Sequence, residues 1–321
     1  MKKAVVVLVL FVILAAATGC LGGEVEGIDA DISPDTEPVE TNATGNEILA
    51  SAVETTEDVE PYSVDSQHRF VAGASGLFDM NFTMDSTGSF DTEDRRILVE
   101  TDGTADFSFL VLGNTTEFET FVYSDEGSMW RRSVEDGEVT GWSEREGNFT
   151  YAESVLGVGA VNETYGDFGA ELLGGETING VDTYVVSVNA SAERLSRHSS
   201  AVIGLHGEGI EEREEEAAPE NEIEAGVEEE PNVEAVKEAY LWVERDTRRP
   251  VRMAHRISIG SSENDTAVSE SGNGTSGGSG GEDGEGSDAG GVDFLFVADW
   301  SYGDGDVEPP EGLSSSEGEG T

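Results

Sequence analysis

The chain has 321 residues, and its 68 aspartates and glutamates against 17 lysines and arginines give a net charge of −51. Such a charge excludes a typical nucleic-acid-binding protein, because those proteins neutralise phosphates with lysine and arginine. The single cysteine, Cys20, excludes intrachain disulfides, thiolate metal sites built from several cysteines, and thiol catalysis in the part of the chain that follows it.

Residues 1–19 have the parts of a secretory signal peptide. Lys2 and Lys3 precede an apolar run of 14 residues, which is shorter than the roughly 20 residues of a transmembrane helix. The four residues that end in Cys20 resemble a lipobox, in which the cysteine is lipidated. We therefore expect a lipid-anchored protein on the outer face of the cell membrane. An ordinary signal peptide and an uncleaved N-terminal anchor are the alternatives.

Residues 20–45 are acidic, contain prolines and lack periodicity, so we expect a linker between the anchor and a domain that spans residues 46–310. The domain begins with Ile48, Leu49, Ala52 and Val53, whose spacing predicts a short amphipathic helix. Residues 165–172 and 191–206 are further helix candidates.

Most of the domain alternates between apolar and polar residues, which is the period of a half-buried strand. The pattern predicts an antiparallel sheet with one packed face and one face in water. A disordered chain, which the acidic composition alone would allow, would not keep this alternation. The strands predicted in this way are residues 78–85, 107–111, 118–123, 183–189, 251–259 and 294–302.

Two segments interrupt the strands. Residues 207–231 contain 12 glutamates and one arginine, and residues 260–291 are rich in Gly, Ser, Glu and Asp. Charge blocks and linker-like compositions of this kind predict disordered inserts. We expect disorder also for the tail at residues 311–321.

No catalytic or metal-binding motif stands out. His198 and His206 are eight residues apart, which does not fit a metal-binding pair on a helix, and His255 lies on an apolar strand face, where a core histidine is expected. Nothing resembles a GxSxG nucleophile elbow, a phosphate-binding loop or a calcium loop. The sequence therefore predicts a protein that is not an enzyme and has no cofactor.

Asn-X-Ser/Thr sequons are frequent, and in an exported protein each is an acceptor site for N-glycosylation. We expect some of them to be used. They begin at Asn42, Asn81, Asn114, Asn148, Asn162, Asn189, Asn264 and Asn273.

Aromatic residues and methionines are concentrated on the apolar strand positions. They form either a filled core or the wall of an adaptable apolar pocket, and the sequence leaves both open. The candidates for a ligand cavity are Phe78, Met80, Phe82, Met84, Phe107, Phe109, Trp242, Phe294 and Phe296.

Three stretches resemble LolA-like lipoproteins. Residues 240–252 resemble the family's V-D-x-x-T-x-x-P-V strand–turn–strand signature, residues 174–184 resemble its G-x-x-x-x-x-G-V-x-x-Y strand entry, and residues 294–309 are similar to its last strand and V-x-x-P exit. With Cys20 and the acidic, lysine-poor composition, the chain resembles a haloarchaeal lipoprotein related to the LolA and LppX/LprG carriers. The resemblance implies an α+β fold in which a curved antiparallel sheet, a half-barrel, packs over a few helices.

The resemblance also implies an apolar cavity of the kind that holds acyl chains in the carriers. We therefore expect a cell-surface lipoprotein of a halophilic archaeon that binds a lipid or another apolar ligand and catalyses no reaction. Its expected partners are the membrane, through the anchor on Cys20, and that ligand; no protein partner is indicated. The alternative is an envelope glycoprotein with a filled core and no ligand.

Overall fold

The structure is a computed structural model, and it describes residues 32–57, 59–74, 78–109, 112–125, 127–135, 138–145, 147–206, 235–260 and 291–303, with a few residues up to 313. The signal peptide, Cys20, the first predicted insert, residues 261–290 of the second and most of the predicted tail lie outside these ranges. None of the helices that the structure describes is long and apolar enough to span a membrane.

Four helices are described, namely α1 (Gly45–Thr55), α2 (Phe149–Leu156), α3 (Gly159–Tyr165) and α4 (Ala192–His206). Twelve strands are described. They are β1 (Tyr62–Ala74), β2 (Phe78–Asp91), β3 (Arg96–Phe109), β4 (Leu112–Ser124), β5 (Met129–Glu135), β6 (Glu138–Val139), β7 (Ser143–Arg145), β8 (Ala170–Ile178), β9 (Val181–Val188), β10 (Ala235–Glu244), β11 (Pro250–Gly260) and β12 (Gly291–Tyr302).

The strands form one antiparallel sheet in the order β6-β5-β4-β3-β2-β1-β12-β11-β10-β9-β8, and β7 also pairs with β5. The sheet consists of two meanders, β1 to β7 and β8 to β12, which meet where β12 pairs with β1. Within the described residues β6 and β8 do not pair with each other, so the sheet is open. The antiparallel sheet expected from the alternating pattern is confirmed.

All four helices pack on one face of the sheet, which we call the helical face. Ile48 and Leu49 of α1, Leu156 of α2 and Leu195 of α4 join the inward side chains of the strands in one buried core. α1, predicted from its apolar spacing, begins with a capping box, because Thr44 accepts from the backbone N–H of Glu47 and Glu47 accepts from that of Thr44. The helix expected at residues 191–206 is confirmed as α4.

The helix expected at residues 165–172 is wrong. Tyr165 is the last residue of α3, Gly166 caps that helix, and the chain enters strand β8 at Ala170. Glycines at positions 166 and 169 interrupt the helix, and pairing with β9 stabilises the extended chain that follows.

The expectation of one wet face holds only for part of the sheet. On β2 the outward residues Asp79, Asn81 and Asp85 are exposed. On β8 to β12 the outer face carries a second buried apolar cluster, and there the sheet is apolar on both sides. This cluster comprises Ile32, Ile178, Val185, Trp242, Val251, Ala254 and Leu295.

The chain before α1 also packs against the sheet. Ile32 belongs to the outer cluster, and Glu37 pairs with Gly175 of β8 through two backbone hydrogen bonds of 2.9 Å. Residues 32–44 fall in the segment that we expected to be a linker, and in the structure they extend the domain toward its N-terminus.

Candidate functional site

One rim of the sheet collects the connections that bear the long insertions. β10 begins there at Ala235, next to the end of β11, and β12 begins there at Gly291, next to the end of β1. The described residues on both sides of segment 261–290 lie at this rim. For segment 207–234, the described residue that follows it lies at this rim, and the residue that precedes it is the last residue of α4. We call this rim the insert rim.

A group of aromatic side chains lies near the insert rim on the helical face and is only half buried. Phe82 of β2, Phe107 of β3 and Phe118 of β4 pack against the core without being covered by it. The rings of Phe82 and Phe118 stack with their centroids 5.4 Å apart. We call these three residues the rim patch.

Gly103 of β3 makes this stacking feasible. It is the cross-strand neighbour of Phe118, and a Cβ atom at this position would overlap the ring of Phe118. Because glycine has no side chain, the ring of Phe118 lies across the middle strand and reaches Phe82 on the strand beyond. The patch is thus built by the sheet register and one glycine.

The rim patch continues into the buried core. Met80 is 3% exposed, and the rings of Phe70 and Phe294 lie 4.8 Å apart on the neighbouring strands β1 and β12. An apolar chain placed on the patch would therefore meet apolar side chains on its inner side.

A cavity of about 340 Å³ lies on the outer face of β2, β3 and β4, on the other side of the sheet from most of the patch. Most of its lining residues are polar or acidic and occupy outward strand positions, whereas Phe107 occupies an inward one. The lining residues are Asp79, Asn81, Asp106, Phe107, Ser108, Asn114 and Thr115. A second cavity of about 440 Å³ lies between β8, β9, β10 and the start of α4, and its lining includes Lys237 and Glu171.

The residues predicted to line a ligand cavity do not lie in one place in the structure. Met80, Met84, Phe294 and Phe296 are buried in the core beneath the helices, and Phe82 and Phe107 lie in the rim patch. Trp242 lies on the opposite face, in the outer cluster, where its indole N–H donates to Glu176. The side chains of Phe78 and Phe109 lie outside the described part of the structure.

Three of the four histidines come together under α4, an arrangement that the sequence did not suggest. His68, His198 and His255 are 2%, 6% and 0% exposed, so the prediction of a core histidine at position 255 is confirmed. Burial lowers the pKa of His198 to about 4 and lowers that of His255 well below its ordinary value. No group of described residues, these included, is arranged to hold a metal ion.

The sequons differ in their setting. Asn42, Asn81, Asn114, Asn162 and Asn189 are exposed. Asn148 is half buried and caps α2 by accepting from the backbone N–H of Tyr151. Asn264 and Asn273 lie outside the described residues, so all eight remain predictions as glycosylation sites.

No protein-family model matches the chain, and no curated protein matches it. Among solved structures, the chain is similar to a DUF1329 family protein from Desulfovibrio piger, at 11% identity and a TM-score of 0.24, over 81% of this chain and 92% of the other. A TM-score this low carries no argument about fold or function. The LolA-like resemblance stays a prediction from the sequence.

Proposed function

We propose that the chain is a lipoprotein of a halophilic archaeon, anchored through Cys20 to the outer face of the membrane. We further propose that its sheet domain is a LolA-like half-barrel that binds a lipid or another apolar ligand and catalyses no reaction. The observation that carries ligand binding is the rim patch, where Phe82, Phe107 and Phe118 lie half buried on the helical face.

Such a site binds its ligand by burying apolar surface and catalyses no reaction. Burial of an acyl chain contributes about 0.8 kcal/mol per methylene, so about ten methylenes must be buried for micromolar affinity. The stacked rings of Phe82 and Phe118 form a flat apolar surface on which such a chain can lie. Ligands of this kind are held by burial and shape, and no titrating side chain is required.

The test is lipid binding by the full chain, purified in high salt. Organic extraction and mass spectrometry should find a co-purifying lipid, and a fluorescent fatty acid should bind. Phe107→Ser should weaken binding of the probe at least tenfold. Val139→Ser should not, because Val139 is 65% exposed and its register with Val134 and Glu119 places it on the face opposite Phe118. Probe binding that is equal in both variants, with each folded by circular dichroism, would contradict the rim patch as the site.

The anchor has its own test. Cys20→Ser should release the protein into the medium, because the thiol is the only group at this position that accepts a lipid; unchanged retention in the membrane would contradict the lipid anchor. One acyl chain gives only marginal membrane binding, so stable attachment requires two chains or a further contact. The chain between Cys20 and Ile32 spans at most about 40 Å, which keeps the docked domain near the surface.

A second candidate function is an envelope glycoprotein without a ligand. The observation that favours it is the packing beneath the helices, where Met84, Phe294 and Phe296 are at most 3% exposed. Absence of extractable lipid together with absence of probe binding in the unmodified chain would support this alternative over the carrier.

A further inference from the structure

Three histidines from three elements meet at the centre of the helical face. His68 of β1 and His255 of β11 are both cross-strand neighbours of Phe296 on β12. His198 of α4 covers the same phenylalanine, with ring centroids 4.7 Å apart, and lies 5.1 Å from the ring of His255. At this cluster, α4 packs against the middle of the sheet.

The hydrogen bonds of His198 and His255 fit uncharged imidazole rings. His198 Nε2 lies 2.9 Å from the carbonyl oxygen of Val155 on α2, and because a carbonyl only accepts, Nε2 carries the proton. His255 Nε2 lies 3.4 Å from the hydroxyl of Ser199. The Nδ1 atoms of His198 and His255 are buried without a hydrogen bond in the described structure, so an added proton on either finds no described acceptor.

No carboxylate of the described residues is among the groups that shift the pKa of His198 or His255. The nearby helix α2 carries Glu153, whose carboxyl group accepts from the backbone N–H of Gly159 and whose pKa is raised by burial. The charges that act on His255 are those of His198 and His68, and α3 contributes Tyr165, whose hydroxyl donates to the carbonyl of Ala254. The strand β12 faces His198 of α4 with the non-titrating residue Phe296. The ion pairs of α4 lie at its surface, Arg194 with Asp167 at 3.1 Å and Arg197 with Glu193 at 2.8 Å.

We propose that His198 and His255, which pack on Phe296, form an acid-released latch that holds α4 on the sheet. At neutral pH the uncharged rings pack as core residues. Protonation places like charges about 5 Å apart in an apolar interior, and α4 is the element that yields, because His68 and His255 are fixed by the strand ladders on both sides of β12. Release of α4 uncovers Phe296 and adds apolar surface at the middle of the helical face.

The direction of the pH dependence follows from the lowered pKa values. A histidine whose pKa is lower in the folded protein contributes its full stabilisation above the ordinary value of 6.5, and the contribution is lost as the pH falls toward the folded value, about 4 for His198. The window is therefore pH 6.5 to 4. Protonation of surface carboxylates in a chain of charge −51 relieves repulsion and works in the opposite direction.

The experiment is hydrogen–deuterium exchange of the full chain at constant high salt between pH 7.5 and 4.5, corrected for the intrinsic exchange rate. Protection of residues 192–206 should fall at least tenfold toward pH 4.5, whereas protection of residues 250–260 in β11 should hardly change. Constant protection of α4 across this range would overturn the latch, and so would an equal loss in both segments, which would indicate global unfolding.

Two variants separate the latch from other acid effects. His198→Gln retains a donor for Val155 but does not titrate, so the pH dependence of α4 exchange should shrink. Asp167→Asn removes the ion pair of Arg194, so protection should fall by a similar factor at every pH while the pH dependence stays. Unchanged pH dependence in His198→Gln would overturn the proposal. If that variant does not fold, NMR titration of the unmodified protein decides, since a ring pKa of 6.5 at His198 would also overturn it.

Discussion

Single residues decide the shape of the rim patch, and Gly103 is the clearest case. Gly103→Ala should destabilise the fold by about 1–3 kcal/mol, because the new methyl group forces the ring of Phe118 away from Phe82. Gly204→Ala in α4 is the matched control, since a Cβ there meets no atom within 4 Å, and alanine in a helix is more stable than glycine by about 0.5–1 kcal/mol.

Denaturant unfolding of both variants at one salt concentration measures the two effects. They should have opposite signs, and a Gly103→Ala protein as stable as the original would mean that Phe118 does not rest on Gly103. Gly103→Ala should also weaken binding of the fatty-acid probe if the stacked rings of Phe82 and Phe118 form part of the proposed binding surface.

For some strand residues, the sequence could not predict the face of the sheet on which the side chain lies, because that face depends on the strand register. Residues 239–243 of β10 are apolar at every position, so the pattern alone cannot show that Leu241 faces the helices and Trp242 the outer cluster. Strand β1 escaped prediction for a related reason. Its inward positions include Ser66 and His68, and these polar residues break the apolar alternation between Val64 and Phe70.

At the level of elements, strands with one wet face and the helices α1 and α4 were predicted, whereas the helices α2 and α3 were not. β2 alternates because water covers its outer side, whereas α2 and α3 lie close together around Gly157, so neither is long enough to show a helical period. The rim patch combines β2, β3 and β4, and it could not be predicted because Phe82 and Phe118 meet only through the pairing of both strands with β3.

The cap of α1 gives a prediction at this level. Thr44→Ala should destabilise the domain by about 1 kcal/mol, because the helix then loses its N-terminal acceptor. Ser51→Ala in the same helix should be neutral or slightly stabilising, since that hydroxyl only donates to the carbonyl of Glu47. Thermal unfolding of the two variants measures the difference, and equal melting temperatures would contradict a role for the cap.

The pH dependence of the cap follows from its geometry. The hydrogen bond from the backbone N–H of Thr44 is the main cause that lowers the pKa of Glu47, and the Thr44 hydroxyl adds to it. A carboxyl group with a lowered pKa stabilises the fold above its ordinary pKa and loses this contribution as the pH falls through the folded value. The effect of Glu47→Gln should therefore diminish under acidic conditions, where the carboxyl group is protonated.

The whole molecule carries a charge of −51, and that charge sets how the fold responds to salt. Repulsion among the carboxylates opposes the compact state, and the Debye length falls from about 10 Å at 0.1 M to about 3 Å at 1 M salt. The melting temperature should therefore rise continuously between 0.1 and 1 M NaCl. KCl should act equally, because screening depends on ionic strength, whereas a neutral osmolyte at the same osmolality should have a smaller effect. A larger effect of one cation would indicate specific binding to the acidic surface, and a melting temperature that does not change with salt would contradict the view that this domain is adapted to brine.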